Sequence, residues 1–111
     1  MFRLSRQTLA NVPSVAAAIT ATAGGTKATA FAMVADVNRI AVCATIADSV
    51  LLPPALSGST CFLANDGVAS ANVFGQGTDT INGVATATAT AFAAARRSTC
   101  VCVTDGAWLI T

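Results

Sequence analysis

Residues 48–84 read DSVLLPPALSGSTCFLANDGVASANVFGQGTDTINGV. Short apolar runs are cut by Ser57-Gly58, Asp66-Gly67, Gly75-Gln76-Gly77 and Asn82-Gly83, seven to nine residues apart. Glycine has no Cβ and Asx tolerates the left-handed region, so such dipeptides supply the positive φ that tight turns need. β-prone runs separated by turn signals at this spacing predict a small antiparallel all-β domain, a sandwich or barrel. Within the stretch, residues 60–63, 71–74 and 79–81 are the expected strands. Pro53-Pro54 ends the run around Val50, because proline cannot donate to a ladder.

Downstream, residues 84–92 (VATATATAF) alternate strictly between Thr and Ala. They read as one strand whose Ala face admits another backbone closely. Residues 98–103 and 107–110 read as a hairpin around Asp105-Gly106. Upstream, residues 39–46 (RIAVCATI) form an alternating strand with Ile40, Val42, Ala44 and Ile46 on one face. Thr/Ala alternation on both sides of Gly24-Gly25 predicts a hairpin of residues 18–23 with 26–34. The pentapeptide ATAFA occurs at 28–32 and again at 89–93, which so Ala-rich a composition explains without duplication. Residues 1–12 (MFRLSRQTLANV) interleave Arg3 and Arg6 with Phe2, Leu4 and Leu9, and Pro13 sets them apart. The expected organisation is an N-terminal arm, 1–13, and a single β-domain, 14–111. Phe2, Arg3, Leu4 and Arg6 are the candidate partner-binding residues.

The chain has 111 residues, 54% hydrophobic and only 10% charged, against roughly 25% charged in an ordinary soluble domain. Its apolar content is mostly small, with 25 Ala and 15 Thr but five Phe, one Trp and no Tyr. Ala buries little area, so each contributes little at ~25 cal/mol per Å², while ordering its backbone costs ~1–2 kcal/mol. A thin core under a weakly charged surface predicts a subunit that hides further surface in an assembly. The net charge of +1 supplies no clustered basic face for nucleic acid. No apolar run approaches the ~20 residues of a membrane span. Residues 1–23 imitate a signal peptide, but Asn11, Pro13 and Ser14 interrupt the apolar stretch, so no cleavage is expected.

There is no His, and all five acidic residues are Asp. Ser-His-Asp, Cys-His and His-bearing zinc sites are therefore excluded. The aspartates are scattered, and Asn65-Asp66-Gly67 alone lacks the alternating oxygen ligands of a calcium loop. Cys43, Cys61, Cys100 and Cys102 lie on apolar runs and are expected as free thiols acting as small core hydrophobes. A disulfide framework is the alternative that a secreted chain would carry. Trp108 is expected to plug the core rather than stack on a sugar. Neither catalytic residues nor a cofactor or metal site are expected, and the chain does not read as an enzyme.

From about Asp48 onward, the pattern resembles small β-rich virion proteins of tailed bacteriophages, found as capsid decoration proteins and as head or tail fibre domains. The residues that carry the likeness are Val50 with Leu52-Pro53, Gly58, Asn65-Asp66-Gly67, Asn72-Val73-Phe74, and Gly77 to Gly83 (GTDTING) with Val84. Val101-Cys102-Val103 and Gly106 with Trp108 complete it. The chain lacks the Pro and Tyr expected near Phe74-Gly75. The resemblance implies a structural, non-enzymatic virion protein, commonly a homotrimer. The first expectation is a capsid decoration (cement) protein on the outer surface of the head, clipping neighbouring major capsid subunits. Its partners are then the major capsid protein and itself, with no nucleic acid and no membrane. A fibre or receptor-binding module is the second reading, and a secreted carbohydrate-binding domain is the reading from another class.

Overall fold

The computed structural model describes residues 12–111. They form strands β1 (Val15–Thr20), β2 (Phe31–Ala32), β3 (Val37–Val42), β4 (Ser49–Leu51) and β5 (Thr60–Asn65). Then come β6 (Ala71–Phe74), β7 (Thr80–Ile81), β8 (Thr90–Phe92), β9 (Arg97–Thr104) and β10 (Ala107–Ile110), with a single 3-10 turn at Lys27–Thr29. The all-β class is as expected. The strands make a six-stranded sheet, β1-β3-β5-β9-β10-β7, and a four-stranded sheet, β2-β4-β6-β8.

The connectivity differs from an antiparallel sandwich or barrel. From β1 to β6 the chain alternates between the two sheets, so each strand returns onto the one laid down a coil earlier. β1-β3-β5 and β2-β4-β6 are consequently parallel, a β-solenoid-like stack. Parallel neighbours need a crossover of about a dozen residues or more, and here the crossover is the strand in the opposite sheet. Val15 pairs with Val37, Val37 with Phe62, Phe31 with Val50, and Val50 with Val73. Antiparallel β8, β9 and β10 then close the stack against β6 and β5.

Registered residues point to the same side, so the interior is built of rows. Phe31, Val50, Val73 and Thr90 make one row across the smaller sheet. Ala16, Asn38, Leu63 and Ser98 make one across the larger. Val50, Val73, Leu63, Ile40, Phe92 and Trp108 are almost wholly buried, each large side chain contributing ~1.5–3 kcal/mol. Buried Asn65 satisfies its amide inside the stack, donating to the Ala69 and Phe92 carbonyls at 3.0 Å each and accepting from the Gly67 N–H at 2.9 Å.

Three expectations are corrected. Residues 18–23 and 26–34 do not form a hairpin, because β1 and β2 belong to different sheets. Only Thr90–Phe92 of the alternating 84–92 segment is a strand. The Thr88 N–H instead bonds the Ala85 carbonyl at 2.9 Å in a turn, since Thr and Ala side chains are too small to hold that stretch against the core. The expected 39–46 strand is shifted to Val37–Val42. Val42 is 46% exposed and Cys43 turns inward, because the chain leaves the sheet there.

Other local expectations hold. β9 and β10 pair across Asp105-Gly106. Asn82 and Gly83 both take positive φ, 52° and 76°, and the Val84 N–H closes the turn on the Ile81 carbonyl at 2.9 Å. Asp66-Gly67 is different. Gly67 has ordinary φ but lies so close to the Cys43 backbone that a Cβ would sit 2.5 Å from its nitrogen.

Candidate interaction surface

Among the described residues, the stack has an open end. β1 and β2 are edge strands of their sheets, and no further coil from residues 12–111 continues the interior rows there. Phe31 belongs to a row whose next members, Val50 and Val73, are fully buried, yet it is 43% exposed. With Ala16, Ala17, Ala18, Ile19 and Thr20 it lines an apolar groove of about 550 Å³. Ala side chains let a partner backbone approach closely here. The β1 edge is partly protected against uncontrolled strand addition. Its pairing with β3 carries register shifts around Ile19, and the Arg39 guanidinium donates to the Ala17 carbonyl at 2.9 Å; bulges and overlying charges are the usual edge devices.

The outer face of the larger sheet adjoins this end and is also apolar. Val15, Val37 and Phe62 form one registered row, and Thr60, Val101 and Leu109 another. Val15 and Leu109 stand well exposed. A charge cluster borders these rows, in which Asp66 accepts from Arg39 Nε at 2.6 Å and from Arg97. The two arginines are half-exposed, so the pairs contribute at most about 1 kcal/mol each and chiefly orient the side chains.

The other carboxylates are engaged by the fold. Asp36 accepts from the Ser14 N–H and hydroxyl at 3.1 and 3.2 Å. Asp48 takes the Thr45 N–H, Asp79 the Ala55 N–H and Asp105 the Ser57 N–H, at 3.2, 2.8 and 2.7 Å. Lys27 ties the 3-10 turn to the later loops through the Gly77 and Thr86 carbonyls at 2.5 and 3.3 Å. Among the described residues, no group of three or more His, Cys, Asp or Glu side chains could hold a metal ion, and no helix is long and apolar enough to cross a membrane.

All four cysteines are buried and unpaired. Burial, reinforced by Asp48, pushes the Cys43 thiol up. Cys61 and Cys100 stand opposite each other across β5 and β9. Their proximity lowers the Cys61 thiol against the opposing effect of burial and, with burial, raises that of Cys100. Trp108 is 1% exposed and its Nε1–H donates to the Pro53 carbonyl at 2.9 Å, so the ring plugs the core and offers no face to a sugar.

The residues expected to bind a partner, Phe2, Arg3, Leu4 and Arg6, lie outside the described residues. Sequence reasoning missed the groove at Ala16–Thr20 and Phe31. Its signal is the coil repeat, but registered positions are separated by 19 to 25 residues (31 to 50, 37 to 62), and so irregular a spacing hides the period. No family model, curated protein or solved structure matches the chain.

Proposed function

We propose that the chain is a structural virion protein of a tailed bacteriophage, a capsid decoration protein that assembles as a homotrimer on the outer surface of the head and clips neighbouring major capsid subunits. The supporting observation is the open apolar end, with Phe31 half out of the core above a groove of Ala side chains. A lone domain gains by covering such an end, and a repeat stack requires a terminal cap. The engaged carboxylates and the absence of His also favour contact surfaces over catalysis. Each clip buries apolar area across a joint that internal pressure would open, and symmetry multiplies weak contacts into avidity. Phe2, Arg3, Leu4 and Arg6 are proposed to add to this contact. Burial of Phe2 and Leu4 would give ~1.5–3 kcal/mol each, and the arginines charge-assisted hydrogen bonds to carboxylates or carbonyls.

The test is sedimentation of purified protein with emptied heads of the parent phage, alongside its mass by light scattering. A trimer that saturates heads at a fixed ratio is expected. Removing residues 1–12 should weaken that binding while leaving the domain's thermal midpoint nearly unchanged. A monomer that leaves heads bare would overturn the reading, and binding to host cells instead would replace it with a receptor-binding module.

A further inference from the structure

We propose that Cys61 and Cys100 form a modification site that accepts a low-molecular-weight disulfide, such as oxidised glutathione, and closes into a reversible cross-strand bond. The inference is independent of the virion reading.

Register brings the pair together. Cys61 stands directly opposite Cys100 in the antiparallel β5–β9 ladder. The Phe62 N–H bonds the Asp36 carbonyl on the β3 side, while the Asn65 N–H bonds Arg96 on the β9 side. Strand residues alternate, so the Cys61 N–H and carbonyl turn toward β9 and the two cysteines occupy a hydrogen-bonded pair position. Such pairs have Cα atoms about 5.5 Å apart, inside the range of about 4.4–6.8 Å that disulfides span. Both side chains face the interior.

Access comes from one side. Cys61 lines a cleft of about 270 Å³ with Pro53, Pro54 and Trp108. Cys100 does not line it and is fully buried. This asymmetry separates an attacking from a resolving thiol. Cys61, as thiolate, attacks one sulfur of the small disulfide, forming a mixed disulfide and releasing one small thiol. Cys100 then loses its proton and attacks the Cys61 sulfur, releasing the second small thiol. Two protein thiols are oxidised and one small disulfide is reduced to two thiols. Cys102 shares the Cys100 face two residues along the same strand, and that separation keeps it from competing for either partner.

The bond would tie the parallel coils to the antiparallel strands that close them. Cross-linking residues 61 and 100 should raise the folding equilibrium constant about a hundredfold. The experiment is incubation of the native protein with oxidised glutathione at mildly alkaline pH, followed by peptide mapping. The expected product has lost the two thiol hydrogens, maps to Cys61–Cys100, returns to the dithiol with dithiothreitol, and unfolds at higher denaturant. Cys100→Ala should stop at a glutathione adduct on Cys61, and Cys61→Ala should take up none at residue 100. Four thiols still free after incubation, a bond mapped to Cys43 or Cys102, or a bond between two chains would each overturn the proposal. Mapping on the wild-type protein decides the question even if a variant fails to fold.

Discussion

At the residue scale, Gly67 shows how a turn signal acquires a second meaning. Asp66-Gly67 looks like a hairpin dipeptide, but the chain crosses there between sheets, and the hydrogen of Gly67 faces Cys43 backbone that a methyl would strike. Gly67→Ala should destabilise the domain by about 1–3 kcal/mol, read as a lower urea midpoint with unchanged slope. Its neighbour Asp66 is the opposite case. Although it joins Arg39 and Arg97, both arginines are about half-exposed. Asp66→Asn, which removes both pairs, should cost no more than about 2 kcal/mol, and less in high salt, where the wild-type pairs are already screened. A larger loss by equilibrium denaturation would mean that the cluster holds β3 to β9 rather than decorating them.

At the element scale, the recurring ATAFA offers an internal control. Its copies reach β2 and β8, the two edge strands of the smaller sheet. Phe92 is wholly enclosed between the sheets, whereas Phe31 stands at the uncovered end. Phe92→Ala should cost ~3–5 kcal/mol, as deletion of a core aromatic does. Phe31→Ala in the isolated subunit should cost under about 1 kcal/mol, in line with a side chain still facing water. Equal losses in chemical denaturation of the monomeric protein would show that the end is not open. In the assembled state the order of effects should change. Phe31→Ser should weaken trimer formation or head binding several-fold while barely moving the thermal midpoint of the subunit, because it removes apolar area only where a partner covers it.

At the scale of the whole molecule, the sequence by itself determined the all-β class, the hairpin at Asp105-Gly106, the turn at Asn82-Gly83 and the core position of Trp108. These are local matters. A left-handed turn depends on a glycine, and a buried indole on its size and its one donor. Only the tertiary structure decided which strands are neighbours. Alternation with period two is identical whether a strand pairs with its successor or with the strand a coil away, so residues 18–34 carried no mark distinguishing hairpin from crossover. Crossovers prevailed because each short strand buries its inward residues only when stacked in rows such as Phe31–Val50–Val73 and Ala16–Asn38–Leu63. The open end, with Phe31 exposed, and the opposition of Cys61 to Cys100 follow from that stacking. Both are set by register between distant segments, and no single stretch of the chain contains it.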